Sequence, residues 1–158
     1  MINAQLIVRA TNAEYTGENI EFTGLTTDSR AVQAGELFVA FSGENFDGHN
    51  YCAKAVELGA TGVLVSKDVE GLPENVAVFK VPNTLKAFQE IAREYRRSFE
   101  NLKVFAITGS NGKTSTVEMI ASILRAAGKE VVYNAEGSNQ VEGVTTLVLT
   151  HATSGGKV

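Results

Sequence analysis

The chain predicts an α/β fold in two pieces, a small domain over residues 1–98 and the opening of a second, parallel-sheet domain over residues 99–158. Three observations carry this. Short apolar runs at 62–66 and 76–81 alternate with segments of helical spacing at 48–59 and 83–97. A glycine-bracketed turn then joins an apolar run at 103–107 to a second helical face at 117–127. Between these pieces, residues 98–102 show no periodicity and mark the boundary.

Taken in order, residues 19–27 and 36–41 have strand composition, and the polar segment 28–35 between them is turn-like, so a β-rich start is expected. From 48 to 59 the apolar positions Tyr51, Ala55 and Leu58, with Val56 beside them, recur at helical spacing and stop at Gly59. Cys52 on this helix reads as a small buried hydrophobe. Residues 62–66 form a short buried strand, and residues 76–81 another. Asn83 is placed to cap a helix with the inner face Leu85, Phe88, Ala92 and Tyr95. Arg93, Arg96 and Arg97 suit its C-terminal end, as a solvated surface rather than a phosphate patch.

Composition excludes several classes. The chain has 158 residues, 44% hydrophobic and 20% charged, with two prolines, which describes a globular protein and not a disordered one. A net charge of -4 leaves no electrostatic footprint for nucleic acid. No apolar run approaches a membrane span. A single cysteine and the lack of a charged-then-apolar leader predict a reducing compartment, the cytoplasm.

The most informative stretch is Gly109-Ser110-Asn111-Gly112-Lys113-Thr114-Ser115. Glycines at 109 and 112 let bare N–H groups approach an anion, and the following helix adds the positive end of its dipole. Lys113 would reach the β- and γ-phosphates, and the Thr114 hydroxyl would meet Mg²⁺. The longer pattern G-x-x-x-x-G-K-[ST] needs glycine at 107, where Ile107 stands. Val117, Ile120, Ala121, Leu124 and Ala127 mark the inner face of the helix, which Gly128 stops. The competing reading is a plain strand-turn-helix joint with Thr114 as a cap. One further strand is expected at 130–133, and no Asp follows Asp68, so the acidic part of a metal site is missing.

Gly24-Leu-Thr-Thr-Asp-Ser-Arg30, Gly35-Glu-Leu-Phe-Val-Ala40, Gly43-Glu-Asn-Phe-Asp-Gly-His49 and Ala55-Val-Glu-Leu-Gly-Ala60 together resemble the N-terminal domain of the Mur ligases. Ile107-Thr-Gly-Ser-Asn-Gly-Lys-Thr-Ser115 resembles the ATP loop of that family. Val117-Glu-Met-Ile-Ala121 is most similar to its D-alanyl-D-alanine-adding type. The similarity covers roughly the first third of such an enzyme. After Gly128 the segment from Asn134 to Asn139 is closer to the subunit that amidates lipid-linked peptidoglycan precursors.

The resemblance implies a cytoplasmic step of peptidoglycan synthesis. ATP phosphorylates the terminal carboxylate of a UDP-N-acetylmuramoyl-peptide, and an amine, here D-alanyl-D-alanine, displaces phosphate. A carboxylate resists an amine until its oxygen becomes a leaving group, and Lys113 with Mg²⁺ would offset charge on the transferring phosphoryl. It implies ATP and Mg²⁺ as cofactors, Lys113 as a catalytic residue, Gly109, Ser110, Asn111, Gly112, Lys113, Thr114 and Ser115 around the phosphates, and Thr114 on the metal. Thr27, Asp28, Ser29 and Arg30 are then contacts to the UDP end of the substrate. Read without the resemblance, Asp28 and Ser29 equally well close a turn while Arg30 folds onto Asp28. For Phe46-Asp-Gly-His49, the expectation is a loop shaping this pocket, with Asp47 or His49 capping the next helix.

The chain alone is expected to be inactive, since the remaining ligands of the family have no matching position. Alternatives are a diaminopimelate- or lysine-adding ligase, or a non-catalytic UDP-sugar or nucleotide-binding module. A shortened parallel sheet would also leave an open strand edge, which predicts self-association.

Overall fold

A computed structural model describes residues 1–44, 46–101, 103–104 and 112–133. The chain divides into two compact units, Met1–Tyr95 and Arg96–Val158.

The first unit opens with strand β1 (Ile2–Asn3), paired antiparallel with β2 (Glu21–Phe22) so that Ile2 faces Phe22. Helix α1 (Ala4–Thr11) lies between them. Strands are found within the expected 19–27 and 36–41, in shorter pieces, while this helix before them was not expected. Eight residues, several of them β-branched, are too short a run for helical periodicity to register, and isolated they would be marginal. The ends decide the matter: the Asn3 side chain accepts from the Leu6 amide at 2.9 Å, and Asn12 closes the helix in the left-handed region at φ 54°. Burial of Ala4, Leu6 and Ile7 then holds the helix in place.

The sheet that organises this unit has four strands, all parallel, in the order β3 (Leu25–Thr26), β4 (Leu37–Val39), β5 (Gly62–Val65) and β6 (Ala77–Lys80). All seven residues of β4 and β5 are buried, as both faces of a parallel sheet require. Register places Phe38 beside Val63 on one face, and Val39 beside Leu64 on the other. The Phe38 face packs with Val65, Ala40, Cys52, Ala55 and Ala60 in one core cluster. On the opposite face Phe79 stacks on Tyr15, with ring centroids 4.4 Å apart, and meets the edge of Phe22 at 5.9 Å.

Between β4 and β5 a 3-10 turn (Gly48–Tyr51) runs directly into α2 (Cys52–Glu57), and Gly59 at φ 115° ends the segment. Cys52 and Ala55 are buried as expected, but Tyr51 and Leu58 are exposed. The tighter opening turn rotates the helical face away from the spacing assumed for a continuous α-helix, and Tyr51 instead stacks on the exposed Phe46. Helix α3 (Thr84–Arg97) begins at Asn83, whose side chain accepts from the Lys86 amide at 2.9 Å. It buries Ala87, Phe88, Ile91, Ala92 and Tyr95, while Leu85 is half-buried and Arg93, Arg96 and Arg97 are exposed.

In the second unit, α4 (Lys113–Ala126) is the described helix beyond α3. It ends where Gly128, at φ 71°, donates to the Arg125 carbonyl and Lys129 donates to that of Leu124, the paired closure that glycine allows at a helix C-terminus. Ala121 is buried, Val117 and Leu124 are half-buried, and Ile120 and Ala127 are exposed. The strand expected at 103–107 lies largely outside the described residues. Residues 130–133 are described and form no strand: no ladder partner is present among the described residues, and the Val131 carbonyl accepts from Arg125 at 3.0 Å.

Candidate functional site

Because β3, β4 and β5 run parallel, the residues that follow each strand gather at one edge of the sheet. In open α/β sheets that carboxyl edge is where ligands bind. It carries Thr27 to Arg30 after β3, Ser42 to His49 after β4, and Ser66 with Lys67 after β5.

After β3 the chain turns on its own side chains. The Thr26 hydroxyl accepts from the Asp28 amide at 3.3 Å, and Asp28 accepts the Arg30 amide at 2.9 Å. The Arg30 guanidinium adds two parallel hydrogen bonds to the same carboxylate. These bonds hold the Asp28 carboxyl at about 2, below its ordinary 3.8. Thr27 is exposed and Ser29 half-buried, and the guanidinium side chain is 88% exposed. Of the two readings of this motif, the turn with its ion pair is present in the structure, and it leaves the outer face of Arg30 open to an anion.

After β4, Ser42 and Asp47 form a bridge that closes the intervening turn. Asp47 caps the 3-10 turn by accepting the His49 amide at 3.0 Å, as expected of this loop. The same oxygen accepts from His49 Nδ1 at 2.6 Å and from the Ser42 hydroxyl at 3.0 Å, and the other oxygen pairs with Lys67. So many donors hold the Asp47 carboxyl well below the usual carboxylate range, Lys67 contributing most. On its far side the His49 ring accepts the Ser66 main-chain N–H at 2.9 Å. An amide can only donate, so Nε2 is the acceptor and the ring proton resides on Nδ1. Ser42, Ser66 and Lys67 were absent from the sequence-based site because nothing local marks them.

Cys52, below this edge, is fully buried, and burial pushes its thiol up to about 11.

The second candidate region opens α4. Gly112 sits at φ 72°, in the left-handed region that suits glycine, and no side chain caps the helix start. Among the described residues, none lies within 4 Å of where a Cβ on Gly112 would stand. Thr116 anchors the first turn, its hydroxyl donating to the Gly112 carbonyl at 2.8 Å. Thr114 and Ser115 are exposed and Lys113 is half-buried. Gly109, Ser110 and Asn111 lie outside the described residues.

Among the described residues no three His, Cys, Asp or Glu side chains come together as a metal site, and no helix is long and apolar enough to cross a membrane. A hollow of about 430 Å³ lined by Tyr15, Glu18, Glu74 and Ala77 lies at the start of β6, away from the carboxyl edge.

A parallel α/β sheet with a polar carboxyl edge, followed by a helix that opens on a left-handed glycine and Lys-Thr-Ser, defines the class of this protein. Two family models match it in succession: "Mur ligase family, catalytic domain" over residues 21–96, and "Mur ligase middle domain" over residues 107–154. The chain belongs to the Mur ligase family. It is 40% identical over 131 residues to UDP-N-acetylmuramoyl-tripeptide--D-alanyl-D-alanine ligase of Synechocystis, covering 83% of this chain and 29% of that protein. To the Escherichia coli protein of the same name it is 39% identical, covering 87% and 29%. The crystal structure of MurF from Acinetobacter baumannii superposes with a TM-score of 0.83 at 31% identity, over 93% of this chain and 32% of that one. MurF ligase from Thermotoga maritima in complex with ADP gives 0.71 at 26% identity, over 82% and 29%. The chain thus spans about a third of the length of these relatives.

Proposed function

We propose that these residues are the UDP-substrate domain, up to about residue 98, and part of the ATP-binding domain of a ligase of peptidoglycan precursor synthesis. That ligase would join D-alanyl-D-alanine to UDP-N-acetylmuramoyl-tripeptide at the expense of ATP, through an acyl phosphate. The observation that carries this reading is the 40% identity to a ligase of that name across 83% of the chain, in a chain whose fourth helix opens on Gly112-Lys113-Thr114.

In this reading the amides at the start of α4, with Gly109, Ser110 and Asn111 before them, cradle the phosphates of ATP, and the Lys113 ammonium offsets charge on the phosphoryl group in flight. That the Thermotoga maritima relative was solved in complex with ADP supports a nucleotide as a ligand of this chain. Thr114, exposed on the first turn, fits a hard cation that prefers oxygen ligands, and a bound Mg²⁺ would supply charge neutralisation. At the sheet's carboxyl edge, Arg30 and the turn Thr27-Asp28-Ser29 receive the UDP end, the guanidinium offering its free face to phosphate. The cytoplasm, where such precursors and ATP meet, is the proposed compartment. For the chain by itself the proposal is binding without turnover.

Calorimetric titration tests this directly. UDP-N-acetylmuramoyl-tripeptide and Mg-ATP are each expected to bind with one site. Failure of both to bind would end the reading, and ATP-dependent phosphate release in the presence of both substrates would end the proposal of binding alone. A diaminopimelate- or lysine-adding specificity is the second reading, supported by relatives so named at 36% identity. Preference for UDP-N-acetylmuramoyl-dipeptide over tripeptide would favour it.

A further inference from the structure

Among the described residues, His49 is a buried polar side chain that nucleotide binding leaves without a task. Its side chain is 2% exposed, yet both ring nitrogens are engaged: Nδ1 donates to Asp47 at 2.6 Å, and Nε2 accepts the Ser66 amide at 2.9 Å. The Ser66 hydroxyl also lies 3.2 Å from Nε2. The ring therefore joins the loop after β4 to the carboxyl end of β5, two segments of one edge whose shared ladder ends at the Val39–Leu64 pair. Asp47 is tied to both sides, since its second oxygen pairs with Lys67, the residue after Ser66. The result is a closed circuit, Asp47 to His49 to Ser66 and, through Lys67, back to Asp47.

We propose that His49 is a positioning residue: locked as the Nδ1–H tautomer, it clamps β5 to the loop after β4 and fixes Lys67 at the edge that faces the substrate. The ligand half of this inference rests on the reading of that edge as the UDP site; the clamp does not. Gly48 makes the approach possible. A Cβ there would meet the Phe41 carbonyl oxygen at 2.7 Å and its nitrogen at 2.9 Å, so the loop lies against β4's end with no room for a side chain. A buried ring in such a place that accepts from a main-chain amide cannot act as an acid or base without breaking the clamp, which separates positioning from catalysis.

Two-dimensional NMR of the chain labelled with ¹⁵N-histidine is the first test. The buried ring is expected to show a protonated Nδ1 and a bare Nε2 at neutral pH; a proton on Nε2, or on both nitrogens, would overturn the proposal. Hydrogen exchange of the Ser66 amide, expected slow, should become fast in His49→Leu and stay partly protected in His49→Gln, whose amide oxygen can still accept. UDP affinity should fall about tenfold in His49→Leu and recover in part in His49→Gln. Unchanged Ser66 exchange and unchanged UDP affinity in His49→Leu would sink the inference. Should His49→Leu fail to fold, the tautomer of the unsubstituted chain decides. If the unsubstituted chain binds no UDP, the reading of the edge falls together with the ligand half, and the ring and exchange measurements still judge the clamp.

Discussion

Arg30 grips Asp28 through two parallel hydrogen bonds, Nε to Oδ1 at 2.9 Å and Nη2 to Oδ2 at 2.8 Å, at the end of the first strand of the parallel sheet. The pair presets a cation at the carboxyl edge with its geometry already spent on a planar fork.

Its first consequence is a titration. Asp28 should protonate at about 2 in carbon-detected NMR, and Arg30→Ala should return it toward 3.8. The sign follows from a folded value below the unfolded one. Whatever the pair contributes to folding is complete above about pH 4, and it is lost as pH falls through about 2. An Asp28 midpoint unmoved by Arg30→Ala would show that the pair does not form in solution.

Gly112 and Lys113 bear on the ATP reading. Replacing Gly112 by Ala forces an L side chain to φ 72°, at a strain of about 1 to 2 kcal/mol, with no steric contact to add to it among the described residues. Mg-ATP affinity, followed by calorimetry, is expected to drop severalfold in Gly112→Ala and roughly tenfold or more in Lys113→Ala. UDP binding should be untouched in both. Loss of both ligands together would point to damage beyond the joint.

Gly48→Ala probes the packing beneath the other edge. Its Cβ would collide with main-chain atoms of Phe41 rather than with a flexible side-chain end. Overpacking of this kind costs about 1 to 3 kcal/mol, measurable as a lower urea midpoint. A variant as stable as the parent would mean the loop yields.

Phe79→Ala should be the harsher change. Phe79 is fully buried between Tyr15 and Phe22, and truncation of such a ring costs about 3 to 5 kcal/mol. That is a large share of a small domain's stability, so cooperative unfolding of the first unit should shift markedly downward.

Cys52 gives a chemical readout of the same core. With no exposure and a thiol pushed up to about 11, it should resist alkylation at neutral pH until denaturant is added. Rapid labelling in native buffer would contradict its buried place at the start of α2.

Much of this was legible in one dimension. Strands β5 and β6, the Asn83 cap of α3, the Asp47 cap and the Gly128 stop of α4 all follow from periodicity and local hydrogen-bonding chemistry acting over a few residues. The chain's own order of residues also settled the family, through Gly24 to Arg30, Gly43 to His49 and Gly109 to Ser115.

Other features needed the folded chain. Helix α1 is too short for its pattern to outweigh β-branched composition, and its stability comes from burial against residues elsewhere in the unit. His49 meets Ser66 across 17 positions because β4 and β5 run parallel in a particular register. Local propensity carries no information about partners that distant. Hydrogen-bond circuits at a sheet edge are therefore decided by strand order and register, while helix caps and stops are decided by their immediate neighbours.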